Sequence, residues 1–184
     1  MNRVQKLFLW FLMLSIGVFG FFISIDLFTM FLFYEVALIP MYLLIGLWGS
    51  GNKEYAAMKL TLMLMGGSAF LMVGIFGIYF YSAPEGQQLT FNISEIAANA
   101  NMPFSKQMIF FPLTFIGFGV LGAMFPFHTW SPDGHASAPT AVSMLHAGVL
   151  MKLGGYGCFR IAMYLMPQAA DELGWIFLVL TGIS

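Results

Sequence analysis

A polytopic, all-α transmembrane helix bundle is the fold class that this sequence predicts. Of its 184 residues, 60% are hydrophobic and only 8% are charged, whereas a soluble domain carries about 25% charged residues. The apolar residues also gather in long runs, several of them near the roughly 20 residues that a helix needs to cross a bilayer. The sequence therefore predicts a single membrane domain over residues 1–184, with lipid as the solvent for most of its surface.

Six apolar runs follow one another along the chain. We predict about five complete spans and the start of a sixth, at residues 7–25, 27–48, 55–81, 108–128, 139–166 and 173–184. Asp26 marks a tight turn between the first two runs. The sixth run has about 12 residues, too few to cross a bilayer. We therefore expect that the chain is truncated or that another chain completes this span.

The fourth span is predicted to be interrupted near Gly122 to Pro126, where glycines and a proline break the continuous apolar pattern. An interrupted helix frees backbone carbonyl groups, which need partners from protein or water. At membrane depth such groups line cavities and do not face lipid. The break, PFHTWSPDGHASAP, is therefore predicted to border a cavity.

Basic residues flank the ends of the spans that we place in the cytoplasm. These residues are Arg3, Lys6 and Lys53, and cytoplasmic loops of membrane proteins carry an excess of lysine and arginine. The N-terminus is therefore predicted to be cytoplasmic and the long polar segment 82–107 to lie outside. The sequence ISEIAANA within that segment is predicted to form a short surface helix.

Composition excludes several function classes. The net charge of −1 provides no basic surface for nucleic acid. The one cysteine, Cys158, cannot form an intramolecular disulfide or hold an iron–sulfur cluster, which needs several thiolates. A phosphate-binding glycine loop and a nucleophile elbow are also missing from the sequence.

Lys152 is the most informative residue, because it falls in the middle of the fifth apolar span. A lysine at the centre of a membrane helix costs about 2.5–3.5 kcal/mol on insertion scales. Its side chain is too short to reach either interface, so it is predicted to face the protein interior and to exchange a proton there. A static ion pair is the alternative.

Glu35 is predicted to lie in the second span, roughly 12 Å from the start of the helix at 1.5 Å per residue. Among its sequence neighbours, only Tyr34 and the carbonyl groups freed by Pro40 offer it a partner. Intramembrane carboxylates are functional by default. Glu35 is therefore predicted to load and release a proton, with a structural ion pair between two helices as the alternative.

Three histidines precede Lys152. His146 lies on the same predicted helix, roughly 9 Å before the lysine along the axis, so one or two waters could connect them. Histidine titrates near neutral pH and has two ring nitrogens, which suits a relay. His128 and His135 fall in the break and are candidate relay residues. Lys59, near the start of the third span, is another, although a structural role is slightly favoured.

A metal site formed by His128, Asp133 and His135 is a further interpretation of the break. The spacing of these residues matches no familiar ligand motif. No metal site is therefore predicted.

Two blocks of the sequence resemble one known family. They are IDLFTMFLFYEVALIPMYLLIGLWG and FPFHTWSPDGHASAPTAVSMLHAGVLMKLGGYG. Both are similar to the antiporter-like membrane subunits of NADH-quinone oxidoreductase (respiratory complex I), and most of all to the chain M, or subunit 4, group. The resemblance implies a fold with two inverted five-helix repeats, of which this chain matches the first.

The resemblance also implies proton translocation. Glu35 matches the family's glutamate on helix five, and Lys152 matches its lysine on helix eight. The NADH, FMN, iron–sulfur clusters and quinone of the implied reaction belong to partner subunits, so this chain would carry no cofactor. Its implied partners are the other membrane subunits of complex I, in a bacterial inner membrane.

One position departs from the family pattern. The family has a lysine on helix seven that pairs with the glutamate, and the matching residue here is Leu121. Glu35 would therefore lack its implied partner within this chain. Related antiporter-like subunits carry a histidine at the position of His146, where chain M usually has an apolar residue. We therefore hypothesise that His146 compensates for the missing lysine.

Two other interpretations stay open. The same helices suit a subunit of a sodium/proton antiporter or of a membrane-bound hydrogenase, although HTWSPDGHASAPTA favours the respiratory enzyme. A non-transporting scaffold or fragment is the third interpretation, favoured by Leu121 and by the short sixth run.

Overall fold

The computed structural model describes residues 2–83, 88–99 and 102–184. Within these ranges the chain is helical and forms no strand, apart from one isolated bridge between Asp26 and Asn92. Its α-helices are Arg3–Ile23 (α1), Leu27–Trp48 (α2), Lys53–Tyr81 (α3), Ile93–Asn99 (α4), Phe104–Leu121 (α5), Trp130–Ser137 (α6), Thr140–Leu145 (α7), Met151–Gly157 (α8) and Pro167–Ile183 (α9). Residues 84–87 and 100–101 of the predicted outer segment lie outside the described residues.

Four of the described helices, α1, α2, α3 and α5, are long and apolar enough to cross a membrane. Helices α7 and α8 belong to a further helical segment, 140–165, in which π-helical turns at His146–Leu150 and Cys158–Met163 alternate with α-helical ones. The predicted fold class, an all-α polytopic bundle with an interrupted fourth span, is confirmed. The short helix predicted in ISEIAANA is α4.

Helices α5 and α9 differ most from the predicted spans. Helix α5 ends at Leu121, before the predicted 128, because the chain turns at Ala123, which has a left-handed φ of 56°. Helix α9 begins at Pro167, before the predicted 173, because proline suits the first helical turn. The first turns of α9 contain polar residues, so hydropathy alone does not indicate where this helix begins.

Basic residues gather at one end of the bundle and stabilise the end of α2. The carbonyl oxygen of Leu47 accepts hydrogen bonds from Lys53 Nζ at 3.2 Å and from the Arg3 guanidinium at 3.4 Å. Cations are favourable there because the C-terminal end of a helix carries partial negative charge. The N–H of Ser50 donates to the carbonyl of Ser137 at 2.9 Å. Helices α3 and α7 therefore start at the same end of the bundle.

A tryptophan closes the break after α5. Trp130 is 0% exposed, and its indole N–H donates to the carbonyl of Val120 at 3.1 Å. The N–H of Met124 donates to the carbonyl of Gly119 at 2.8 Å. These bonds satisfy carbonyl groups that the interrupted helix frees, and α6 then packs against α3.

Helices α5 and α8 approach each other closely at Gly154. A Cβ atom added there would lie 2.6 Å from the carbonyl oxygen of Phe118 and would also strike the backbone of Gly122. The next residue, Gly155, has no atom within 4 Å of such a Cβ. Of these two adjacent glycines, the packing of the two helices therefore requires the first.

We predict that Gly154→Ala destabilises the protein by about 2 kcal/mol, because the added methyl group must push two backbones apart. Gly155→Ala is the matched control and should leave stability unchanged. Thermal unfolding of the purified protein in detergent micelles measures both. Equal losses in the two variants would contradict the close approach of α5 and α8.

Candidate functional site

His146 and His135 form the centre of the candidate site. Their ring centroids lie 4.4 Å apart, and the His146 ring also stacks on Trp130 at 5.3 Å. His146 is 0% exposed. Neither of its ring nitrogens has a hydrogen-bond partner among residues 2–83, 88–99 and 102–184. Such an imidazole is uncommon, because buried polar atoms are normally hydrogen-bonded.

The backbone that carries His146 is itself unusual. A π-helical segment begins at this residue and runs to Leu150, and π-helical turns frequently occur at functional sites. Directly after it, Met151 places its sulfur 3.3 Å from His135 Nε2. His135 Nδ1 lies 3.3 Å from the hydroxyl oxygen of Ser143. The histidine pair is thus held between α6 and the segment that leads to Lys152.

The structure separates His128 from this pair. Its side chain is exposed, and its ring stacks on Phe125 with centroids 5.7 Å apart. His135 and His146 are therefore the predicted relay histidines that the fold brings together. In the described part of the chain, no three His, Cys, Asp or Glu residues come close enough to hold a metal ion.

An ion pair lies beside the histidines. Lys59 Nζ on α3 is 2.7 Å from Asp133 Oδ2 on α6, and this is the one salt bridge among the described residues. The sequence reasoning missed this pair, because no spacing rule links two residues so far apart in the chain. The position of Asp133 in the predicted break was the only signal that could have pointed to it.

Glu35 lies on α2 and is half-buried. Its Oε1 atom is buried and has no hydrogen-bond partner in the described part of the chain. The hydroxyl of Tyr34 donates instead to the carbonyl of Leu64 at 2.9 Å, so it is engaged elsewhere. Leu121, where the family resemblance implies a lysine, is 1% exposed and belongs to the apolar core.

Lys152 does not point into the packed interior of this chain. Its side chain is exposed and lines a cavity of about 650 Å³ between α5, α8 and α9. Its neighbour Leu153 is 0% exposed, and Gly154 packs on α5, so these two residues take the inner face of α8. The prediction of an interior position is therefore wrong for this chain taken alone.

The walls of this cavity are otherwise almost entirely apolar. Phe111, Phe115 and Phe177 contribute aromatic rings, while Gly119 and Gly122 contribute backbone at the break. No residue of the segment PFHTWSPDGHASAP lines this cavity, so the prediction that this segment borders a cavity is not confirmed. The cavity places a single lysine ammonium group against apolar and aromatic surface.

Comparison with known proteins identifies the family. The family model described as NADH:quinone oxidoreductase/Mrp antiporter, TM, matches residues 24–184. NADH-quinone oxidoreductase subunit M of Rickettsia prowazekii (strain Madrid E) is 41% identical over 95% of this chain and 34% of its own length. The chloroplastic NAD(P)H-quinone oxidoreductase chain 4 of Ipomoea purpurea is 42% identical over 94% of this chain and 34% of its own length. The chain thus spans about a third of the length of these relatives.

Solved structures share the fold. A chain of an archaeal membrane-bound sulfane sulfur reductase superposes with a TM-score of 0.86 at 27% identity, over 98% of this chain and 36% of that one. Respiratory complex I from Thermus thermophilus gives a TM-score of 0.87 at 24% identity, over 97% of this chain and 37% of that one. The Mrp complex from Dietzia sp. DQ12-45-1b gives 0.76 at 24% identity, over 93% and 31%.

The family match and the long apolar helices together make this a multi-pass membrane protein. The relatives at about 40% identity are subunits of quinone oxidoreductases, and the structural neighbours come from multi-subunit membrane complexes. The matched region covers most of the sequence, including the break, the histidine pair and Lys152. The chain belongs to the NADH:quinone oxidoreductase/Mrp antiporter family of membrane proteins.

Proposed function

We propose that this chain is a proton-translocating, antiporter-like membrane subunit of an NADH-quinone oxidoreductase. The relatives that are about 40% identical carry that enzyme's name. The observation that carries the proton-path proposal is the buried His146, whose two ring nitrogens are unpartnered among the described residues and whose ring lies against His135. One nitrogen of a neutral imidazole donates a hydrogen bond and the other accepts one, so water that reaches this ring could bond to both.

Unpartnered buried polar atoms are the physical signature that supports this path. Leaving a buried donor or acceptor without a hydrogen bond costs about 1–3 kcal/mol. In the described part of the chain, the atoms in this state are Glu35 Oε1 and both nitrogens of His146. A proton path would explain why this cost is tolerated. Its groups would be hydrogen-bonded, to water or through a transferred proton, during only part of the transport cycle.

Lys152 provides the next site on the proposed path. Met151, which contacts His135, directly precedes it in the chain, so the helical segment that carries His146 and Lys152 also contacts the other histidine. The ammonium group of Lys152 lies in the wall of a cavity whose other side chains are mostly apolar or aromatic. Lys152 would therefore take a proton from the histidines and release it into the cavity.

The remaining parts of the enzyme lie on other chains in this proposal. NADH, FMN, iron–sulfur clusters and quinone would be held by partner subunits, and redox energy would reach this chain as an electrostatic or conformational change. The end of the bundle with Arg3, Lys6 and Lys53 would face the cytoplasm. The location that fits this role is a bacterial inner membrane.

A sodium/proton antiporter or hydrogenase-type complex is the second candidate function. It is favoured by the fold shared with the archaeal sulfane sulfur reductase chain at 27% identity and with the Mrp complex. Ion transport measured in membrane vesicles with and without sodium separates the two candidates. A non-transporting role would show no ion movement in either condition.

We expect Lys152→Ala, made in the assembled membrane complex, to lower proton translocation by at least about tenfold, because the proposed path loses a proton-exchanging group. Proton uptake into vesicles and NADH oxidation are measured together. Lys106→Ala is the matched control, because Lys106 lies over the Tyr81 ring at 4.5 Å and belongs to no proposed path. Unchanged proton translocation and turnover in Lys152→Ala would refute the proposed path.

A second test concerns the leucine at the family's lysine position. If His146 compensates for that lysine, His146→Ala should lower proton translocation, and adding Leu121→Lys should restore part of it. Leu121→Met is the control for packing at this buried position. Failure of the lysine to restore any translocation in correctly assembled complex would count against compensation.

A further inference from the structure

The Lys59–Asp133 ion pair joins two elements that cover the histidine pair. Lys59 belongs to α3 and Asp133 to α6, and their side chains are 22% and 44% exposed. Next to the pair, Leu60 and Gly134 are both buried, and an added Cβ at Gly134 would lie 3.1 Å from Leu60 Cδ1. The ion pair therefore lies at the outer edge of a tight α3–α6 contact.

The inner side of that contact faces His146. A Cβ added at Gly134 would lie 3.6 Å from His146 Cε1, so Gly134 adjoins both the imidazole and Leu60 of α3. His135, two residues after Asp133, covers the ring at 4.4 Å. Segment 133–135 of α6 is thus a lid on His146, with the ion pair at its rim.

The depths of the two residues agree with this arrangement. Lys59 is six residues after Lys53, and His146 is six residues after Thr140, which places each roughly 9 Å from the start of its helical segment. Both segments start at the same end of the bundle, because Ser50 is bonded to the end of α6. The ion pair and His146 therefore lie at about the same depth below that end of the bundle.

We propose that the Lys59–Asp133 pair is a clamp that holds α6 closed over His146, so that opening of the pair admits water and protons to the imidazole. Lys59 and Asp133 are positioning residues in this account, and neither accepts the transported proton. The part of the inference that concerns protons rests on the proposed function. The part that concerns access to His146 depends only on geometry.

The clamp and relay roles require different chemical properties of the side chain at position 59. A clamp needs a cation that reaches Asp133, and arginine supplies one with a fork of donors that suits a carboxylate. A relay needs a group that releases its proton, which arginine does not do in proteins. Lys59→Arg should therefore retain proton translocation if the pair is a clamp and abolish it if Lys59 is a relay.

Chemical labelling of histidine measures the clamp directly. Diethyl pyrocarbonate is applied to the assembled complex in membranes, and mass spectrometry gives the labelling of His146 relative to the exposed His128. Lys59→Met and Asp133→Asn should each raise that ratio by about fivefold or more, the effect of losing one modest interaction on an opening equilibrium. Lys106→Met, at the far end of the bundle, is the control and should leave the ratio unchanged.

The charge-swapped double variant, Lys59→Asp with Asp133→Lys, should return the labelling of His146 to the original ratio. The clamp would be overturned if neither single variant changed the labelling ratio. It would also be overturned if the charge-swapped variant left His146 as strongly labelled as the single variants do. Proton transport abolished in Lys59→Arg would overturn it in favour of a relay. Labelling that follows these expectations while Lys152→Ala leaves transport intact would support the clamp and reject the proposed function.

Discussion

The contact of Trp130 with Val120 on one side and His146 on the other is the interaction on which the rest of the site depends. The indole N–H donates to the Val120 carbonyl at 3.1 Å, which closes the break after α5 with a hydrogen bond that lipid cannot supply. The same indole ring stacks on His146. One side chain therefore both satisfies a carbonyl group freed by the break and covers the imidazole.

Burial of polar groups in an apolar surrounding explains the chemistry that this arrangement supports. In water, the nitrogens of a histidine and the oxygens of a carboxylate are always hydrogen-bonded. In the described structure His146 and Glu35 each keep atoms without such bonds, so water that enters the site could bond to them. Lys152 differs from them, because it faces a cavity and not the packed core.

Some of the site could be predicted from sequence and some could not. Lys152 and Glu35 stand out because a charged residue in an apolar span is rare, whatever the fold. The direction of Lys152 was predicted wrongly, because Leu153 and Gly154 take the face of α8 that packs inward. The pairing of His135 with His146, and of Lys59 with Asp133, depends on how α6 folds back after the break, which no local pattern encodes. His128 resembles the other histidines in sequence, yet it lies apart from them and is exposed.

The sequence by itself determined the membrane class, the order of the helices, the position of the break and the charged residues within the spans. These features follow from local properties: hydropathy over a helix length, the missing N–H of proline, and the free-energy cost of a charge in lipid. Only the tertiary structure decided which of these residues meet. Contacts such as Lys59–Asp133 arise when helices distant in the chain pack against each other, and the small residues Gly134 and Gly154 set how closely they do so. The residues of the candidate site could therefore be identified from the sequence, but their contacts with one another depend on helix packing.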